Sequence, residues 1–207
     1  ACYTSPGSRE CAAARLGLAT LLLTGNIDRI GHLSCNPAIG GLAKGHMVRE
    51  IDALGGRMAL WADAAGIQFR QLNTSKGPAV RSTRAQIDRA EYLRVVQADL
   101  FAQPDLWIMQ DMVTEVLAQG GQASGVRTLN GQEFASRAVL LTTGTFLSGL
   151  IHIGMTRFSG GRLGDAPASA LSDSLRGHGF QLGRLKTGTP PRLLKASVNF
   201  SVMEEQP

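Results

Sequence analysis

The apolar run Leu18–Leu23 follows a helix-like stretch, Ser8–Leu16, that is closed by Gly17. A short strand that is apolar on both faces has to be covered on both sides, which is the condition of a parallel sheet flanked by helices. Helix, glycine stop and buried strand together read as the second half of a β-α-β unit and predict an α/β fold. The residues before the helix, ACYTSPG, form neither an apolar strand nor a glycine-rich turn, so a chain that begins inside a domain, or whose start is altered, is expected. A second run of the same kind, Ala138–Thr142, predicts another central strand. It leads into Thr143-Gly144-Thr145, beyond the carboxyl end of a parallel strand, where open α/β sheets bind ligands.

Between these runs the punctuation sets the elements. Asn36-Pro37 and Gly40-Gly41 lead into a helix expected over 42–54, stopped by Gly55-Gly56, and a second helix is expected over 57–65. Gln68–Asn73 reads as extended, and Ser75–Arg84 as a basic loop. Helical periodicity then runs over 85–101 through Ile87, Ala90, Leu93, Val96 and Leu100. Past Pro104 the pattern changes to short strands over 106–110, 112–117, 123–129 and 133–138. Gly120-Gly121 and Asn130-Gly131 divide them, which predicts a small β-meander inserted in the α/β frame. A helix over 168–176 and a strand over 183–185 complete the reading.

Composition limits the function classes. A chain of 207 residues can bury its own core, and the three cysteines Cys2, Cys11 and Cys35 have neither disulfide-framework nor zinc spacing. Glycine is in excess, 25 residues of 207 or about 12% against a usual ~7%, and the excess falls in turns. A formal charge of +5 suits a polyanionic partner without specifying one. No stretch approaches the ~20 apolar residues of a membrane helix and no signal-peptide layout opens the chain, so a soluble intracellular protein is expected.

Four features carry candidate chemistry. Cys35, between Ser34 and Asn36-Pro37, precedes a glycine turn that opens a helix, where amide N–H groups stabilise a thiolate; a buried structural thiol is the alternative. Gly40 and Gly41 would let backbone approach a ring or a phosphate. Ser75–Arg84 places three cations and three hydroxyls in ten positions, and 183–192 repeats that mixture. Both stretches suit phosphate or nucleic-acid backbone, against the plain alternative of solvated loops. Phe158–Asp165 reads as a flexible polar loop, either a surface turn or a substrate contact. The histidines lack ligand spacing, and the methionines read as core or gap-filling residues.

Taken together, SCNPAIGG, AGIQFRQLNTSKGPAVR, TTGTFLSG, IHIG, SGGR and GRLKTGTPPR resemble, in order and spacing, the MnmG (GidA) family of tRNA-modifying flavoproteins, over nearly the whole chain from Leu16. The resemblance implies a Rossmann-type FAD-binding flavoprotein fold, here incomplete, with the small inserted β-meander. It also implies addition of a 5-carboxymethylaminomethyl group to the wobble uridine of certain tRNAs. That reaction would use FAD, with NADH and methylenetetrahydrofolate as co-substrates, a nitrogen donor, the GTPase MnmE as partner, a homodimeric assembly and a cytoplasmic location. The domains expected are a partial FAD-binding domain at 1–103, the meander at 104–137, a return to the FAD-binding sheet at 138–165 and the start of a second domain at 166–207.

By the same resemblance Cys35 is the catalytic candidate, as a nucleophile toward uridine or a participant in the flavin chemistry; attack on the pyrimidine ring would make the adjacent ring carbon nucleophilic. Val113 corresponds to a family flavin contact in the meander. Asn36, Gly40, Gly41, Lys76, Gly77, Pro78 and Gly144 lie in motifs expected near the flavin, and Arg81, Arg84, Lys186 and Arg192 are the RNA-contact candidates; no metal is expected. Family members begin with an apolar strand and a glycine-rich phosphate turn, whereas ACYTSPGSREC keeps only Gly7, and a family flavin-contact serine is Ala168 here, with Ser169 beside it. Two alternatives follow: a non-catalytic remnant or RNA-binding fragment unable to hold FAD, and a relative of the folate- and FAD-dependent tRNA uridine methyltransferases.

Overall fold

The computed structural model describes residues 8–34, 36–189, 191 and 193–205. Helix α1 (Ser8–Arg15) ends at Gly17, which takes a positive φ of 77°, and the chain turns into β1 (Thr20–Thr24). β1 pairs in parallel with β5 (Leu106–Gln110), in register from Thr20 opposite Leu106 to Thr24 opposite Gln110. Parallel neighbours need a long crossover. Here it holds β2 (Ala38–Gly40), α2 (Lys44–Ala53), α3 (Met58–Ala65), β3 (Gly66–Leu72), β4 (Ser82–Ile87) and α4 (Arg89–Phe101). The α/β class and the parallel sheet predicted from Leu18–Leu23 are thus present, as is the helix-strand order through residue 72.

The crossover diverges from expectation in one place. Ser82–Ile87 is not the end of a loop and the start of a helix. It is β4, the centre of an antiparallel sheet β2-β4-β3. The helix starts only at Arg89 because Asp88 caps it, its carboxylate accepting from the amides of Ala90 (2.9 Å) and Glu91 (3.0 Å). The cap also resets the helix phase. Tyr92, Val96 and Leu100 face the core, four residues apart, while Ala90 is exposed and Ile87 is buried from the strand. The core gathers Leu22, Ile30, Leu33, Ile39, Trp61, Ala85 and Ile87 around that helix, with the Trp61 ring edge-on to Tyr92 at 6.5 Å between centroids. Trp61 Nε1 donates to Asp99 (2.8 Å), so α3 and α4 share a polar tie beside the apolar one.

The meander is one strand shorter than expected, because 106–110 is β5 of the parallel sheet; it consists of β6 (Val113–Gln119), β7 (Gln122–Thr128) and β8 (Glu133–Ala135), antiparallel in that order. Gly120 and Gly121 both take positive φ in the tight turn between β6 and β7, and Gly131 does so in the turn before β8. Arg127 pairs with Glu115 and Glu133 across the three strands. Helix α5 (Ser169–Gly177) closes the free edge of β6: the Val116 amide donates to Ser174 Oγ (3.0 Å), and the His178 ring donates to the Val116 carbonyl (2.7 Å). Those are the groups an uncovered edge strand would leave open.

Two expected strands are not formed. Ala138–Thr142 belongs to no ladder among the described residues, and Leu140 is exposed. Apolarity permits a strand, but backbone hydrogen bonds to a neighbour make one, and no described strand lies alongside. Residues 183–185 are likewise irregular and exposed. A hairpin not anticipated stands between them, β9 (Leu150–Ile153) and β10 (Thr156–Ser159), turned at Gly154-Met155 with Gly154 at φ 59°. Its β10 residues Phe158 and Ser159 take up the start of the expected flexible loop. The rest of that loop carries contacts of its own: Gly160 and Gly161 are buried, and Arg162 bridges to Asp165.

Candidate functional site

The carboxyl ends of β1 and β5 converge on one spot. The Asp111 amide donates to the Thr24 carbonyl (2.9 Å), and Gln110 Oε1 accepts from the Ile27 amide (2.9 Å). A Cβ on Gly25 would run into the Met112 methyl. Asp111, itself buried, fixes the next turn: its carboxylate accepts from the Met112 amide (2.7 Å) and from Asn130 Nδ2 (3.1 Å). Hydrogen bonding by the Thr128 hydroxyl, and then by Met112 and Asn130, holds its acidity above that of an ordinary carboxyl, lowering the pKa despite burial. Directly beyond lies a groove of about 190 Å³, lined by Met112, Val113, Thr114 and Leu129 on the meander side and by 166–170 at the start of α5. Val113, Ala168 and Ser169, separated in sequence, meet there. This is where open α/β sheets hold nucleotide cofactors.

A second groove, of about 400 Å³, forms where the Gly40-Gly41 turn faces the basic loop. Leu42, Ala43 and His46 line one side, and Asn73, Ala79 and Val80 the other. The two sides are tied together. The Gly41 amide donates to the Thr83 carbonyl (2.9 Å), Ser82 Oγ donates to the Gly41 carbonyl (2.6 Å), and Arg49 donates to Thr83 Oγ1 (3.1 Å). Gly40 cannot be replaced at its φ of 86°, because a Cβ would overlap the Thr83 carbonyl, whereas one on Gly41 would point into open space. The loop is closed by Asn73 Nδ2 donating to the Val80 carbonyl (3.2 Å) and by the Lys76 amide donating to Asn73 (2.9 Å). Lys76, Gly77, Pro78 and Arg81 are exposed along its rim, and Asn36 is exposed just before Pro37.

Other sequence candidates lie elsewhere. Arg84 is in β4, directly across the ladder from Arg70, so two cations share one face of the sheet. Gly144 has a φ of 54° with open space beside it, in a turn locked by Thr145 Oγ1 donating to the Gly161 carbonyl (2.5 Å). Phe146, from the same turn, lies under the Arg162 guanidinium at 5.5 Å, and Asp165 holds both Arg162 (2.6 Å) and Arg29 (3.7 Å). Lys186 is exposed in an irregular stretch and lines neither groove. Cys35 and Arg192 lie outside the described residues.

The sequence model of the family described as Glucose inhibited division protein A, GidA, matches residues 10–207. The chain belongs to the GidA family. Two crystal forms of GidA from Aquifex aeolicus match it with a TM-score of 0.91 at 48% identity, covering 97% of this chain and 33% of theirs. The chain therefore spans about a third of the length of those GidA structures. The GidA-related protein from Thermus thermophilus shares the fold, with a TM-score of 0.61 at 21% identity over 86% of this chain and 65% of its own.

Within the GidA frame, two groups went unassigned in the sequence. His46 lines the second groove, and its Nδ1 is buried with no hydrogen-bond partner among the described residues. The only trace in the sequence is its place five residues after Gly41, on the first turn of a helix that a glycine turn opens. His32 stands among Arg162, Arg89, Arg29 and Asp165. Burial first, then the three guanidiniums, push its pKa below the ordinary 6.5, and Asp165 offsets part of that. Nothing local in the sequence links His32 to residues 130 positions away.

Proposed function

We propose that the protein carrying this chain is an FAD-dependent tRNA-modifying enzyme. In this reading it adds the 5-carboxymethylaminomethyl group to the wobble uridine of certain tRNAs, with the GTPase MnmE as partner, NADH and methylenetetrahydrofolate as co-substrates, and a homodimeric, cytoplasmic form. The observation that carries it is the groove past the carboxyl ends of β1 and β5 in a chain of the GidA family. The residues present fit a flavin nucleotide. Met112, Leu129, Pro167 and the alanines 166, 168 and 170 offer apolar walls, and Ser169 offers a hydroxyl. Gly41 and Gly144 leave open space where a side chain would otherwise stand.

When bound, FAD supplies two-electron transfer, which no side chain here provides. The chain's own contributions are binding and positioning. Val113 and the start of α5 would hold the nucleotide. Asn36, Gly40, Gly41, Lys76, Gly77, Pro78 and Gly144 would border the ring. Arg81, Arg84, Lys186 and Arg192 would meet RNA phosphates through salt-sensitive contacts. Cys35 would be the nucleophile toward the uridine ring. In this reading residues 1–103 and 138–165 belong to the FAD-binding domain together with β5, the rest of 104–137 forms the inserted meander and 166–207 begin a second domain.

The test is flavin content of the purified intact protein by absorbance, followed by analysis of modified uridine in tRNA from cells that depend on it. Ala166→Trp, at an exposed position lining the groove, is expected to abolish flavin retention while the far-ultraviolet circular dichroism stays unchanged. A colourless wild-type protein that takes up no added FAD would overturn the reading, and 5-methyluridine as product would move it to the methyltransferase relatives. Cys35→Ser is expected to stop modification at near-normal flavin content; unaltered wobble uridine modification in that variant removes Cys35 from the mechanism.

A further inference from the structure

We propose that Arg29, His32 and Arg162, with Arg89 beside them, form an anion site that takes one doubly charged group of the phosphate class. The site itself stands on these side chains, and only the identity of its ligand rests on the flavin reading above.

Charge balance points to it first. Three guanidiniums gather around His32 and a single carboxylate, Asp165, which leaves two positive charges unmatched. Solvent does little to dilute them, since the side chains of Arg162 and Asp165 are only 14% and 10% exposed. Donor geometry is the second observation. Asp165 holds Arg162 through Nε at 2.6 Å, which leaves both Nη groups without a hydrogen bond among the described residues. Asp165 stands 3.7 Å from Arg29 Nη1, too far for a hydrogen bond, so the Arg29 guanidinium has none there either, and the same holds for the His32 ring. Phe146 covers one face of the Arg162 guanidinium at 5.5 Å, and a planar fork fixed from a face and an edge is preset for an oxyanion.

The backbone carrying these groups is already set. The Asp165 amide donates to the Arg162 carbonyl (2.9 Å), and the His32 amide donates to the Arg29 carbonyl (3.1 Å). Both walls of the first groove begin here: Asp165 directly precedes 166–170, and the short 3-10 turn Ile27–Arg29 is held by Gln110, two residues before Met112. A nucleotide seated in that groove is therefore one source of the anion, and free phosphate is the other. The surplus selects the charge of the ligand. A carboxylate would cancel one of the two unmatched charges and a neutral ligand none. Burial, then Arg162, Arg89 and Arg29, hold the His32 pKa below the ordinary 6.5, with Asp165 offsetting part of that. An anion among the guanidiniums cancels their field, so the ring takes up a proton from solvent and donates to the ligand.

Sulfate is the probe, because its charge stays constant between about pH 6 and about pH 8 while that of phosphate changes. Calorimetric titration of the intact protein freed of flavin, at constant ionic strength, is expected to give one saturable site that binds at least about threefold more tightly at the lower pH. His32→Gln should keep the affinity at the higher pH and lose the pH dependence, and Arg29→Gln should weaken sulfate about tenfold at both. Uptake that does not saturate in wild type overturns the proposal, as does a pH dependence that survives in His32→Gln or an affinity that Arg29→Gln leaves unchanged. Repeating the titration with flavin bound separates the sources. If FAD excludes sulfate, and FAD affinity follows the same pH dependence in wild type but not in His32→Gln, the nucleotide's phosphate fills the site; if sulfate binds equally with and without flavin, the site serves a free anion. A protein that binds sulfate in this way but never takes up FAD removes the flavin reading and leaves the anion site, whereas one that holds FAD and fails the sulfate titration does the reverse.

Discussion

At the scale of single residues, the backbone of Ala43 is the clearest liability. Its φ of 59° with a negative ψ costs an L residue on the order of 1–2 kcal/mol that glycine does not incur. Ala43→Gly is expected to raise unfolding free energy by about 1 kcal/mol in denaturant titration, after the entropy glycine returns to the unfolded chain. A neutral or destabilising result would mean that the wall relaxes around alanine. His32 makes a pH-dependent contribution. Its folded pKa lies below the unfolded value near 6.5, so the unfolded chain binds more protons as the pH falls through that value. Stability should therefore decline as the pH drops from above 6.5 toward the depressed folded pKa and level off beneath it. His32→Gln should flatten that part of the curve, as read from melting temperature against pH. Asp111 acts at the acid end with the opposite charge type: its lowered pKa stabilises the fold above the ordinary carboxyl range, and that support is lost as the pH falls through the folded value.

Elements show where local chemistry decides structure and where neighbours do. Ser174→Ala would strip the Val116 amide of its acceptor and open the edge of β6, at a cost of about 1–2 kcal/mol. Hydrogen exchange at the Val116 amide should accelerate in that variant, and unchanged protection would place the link elsewhere. The α5–β6 contact is not legible in the sequence, because nothing in Ser174 or His178 names the strand they serve. The meander is legible, since Gly120-Gly121 and Asn130-Gly131 impose their turns locally. The start of α4 departs from the periodicity for a local reason: Asp88 is a stronger start signal than the apolar spacing that runs back through Ile87. Ala138–Thr142 has the composition of a strand but joins no ladder among the described residues, and composition carries no record of neighbouring strands. The candidate site divides in the same way. Val113, Gly40, Gly41 and the 75–81 loop can be picked from motif resemblance, but their grouping into two separate grooves, with His46 in one, requires the fold.

For the whole molecule, the modest net charge conceals a concentrated one. Six cations and no carboxylate fall in residues 36–49 and 70–84, so RNA binding should be steeply salt-dependent and its slope should trace to few side chains. Replacing both Lys76 and Arg81 by alanine should lower the slope of log K against log salt by nearly two, and an unchanged slope would place the phosphates elsewhere. The 150–159 hairpin stands apart from both grooves. Its tip residue Met155 is 91% exposed, while its base is held by the Gly160 amide on the Gly149 carbonyl and, just beyond, by the Arg162–Asp165 pair. A hairpin anchored at its root and bare at its end is a natural place to lengthen a chain. A fluorophore or an affinity tag inserted at Gly154-Met155 would then report on the protein from outside, away from both grooves.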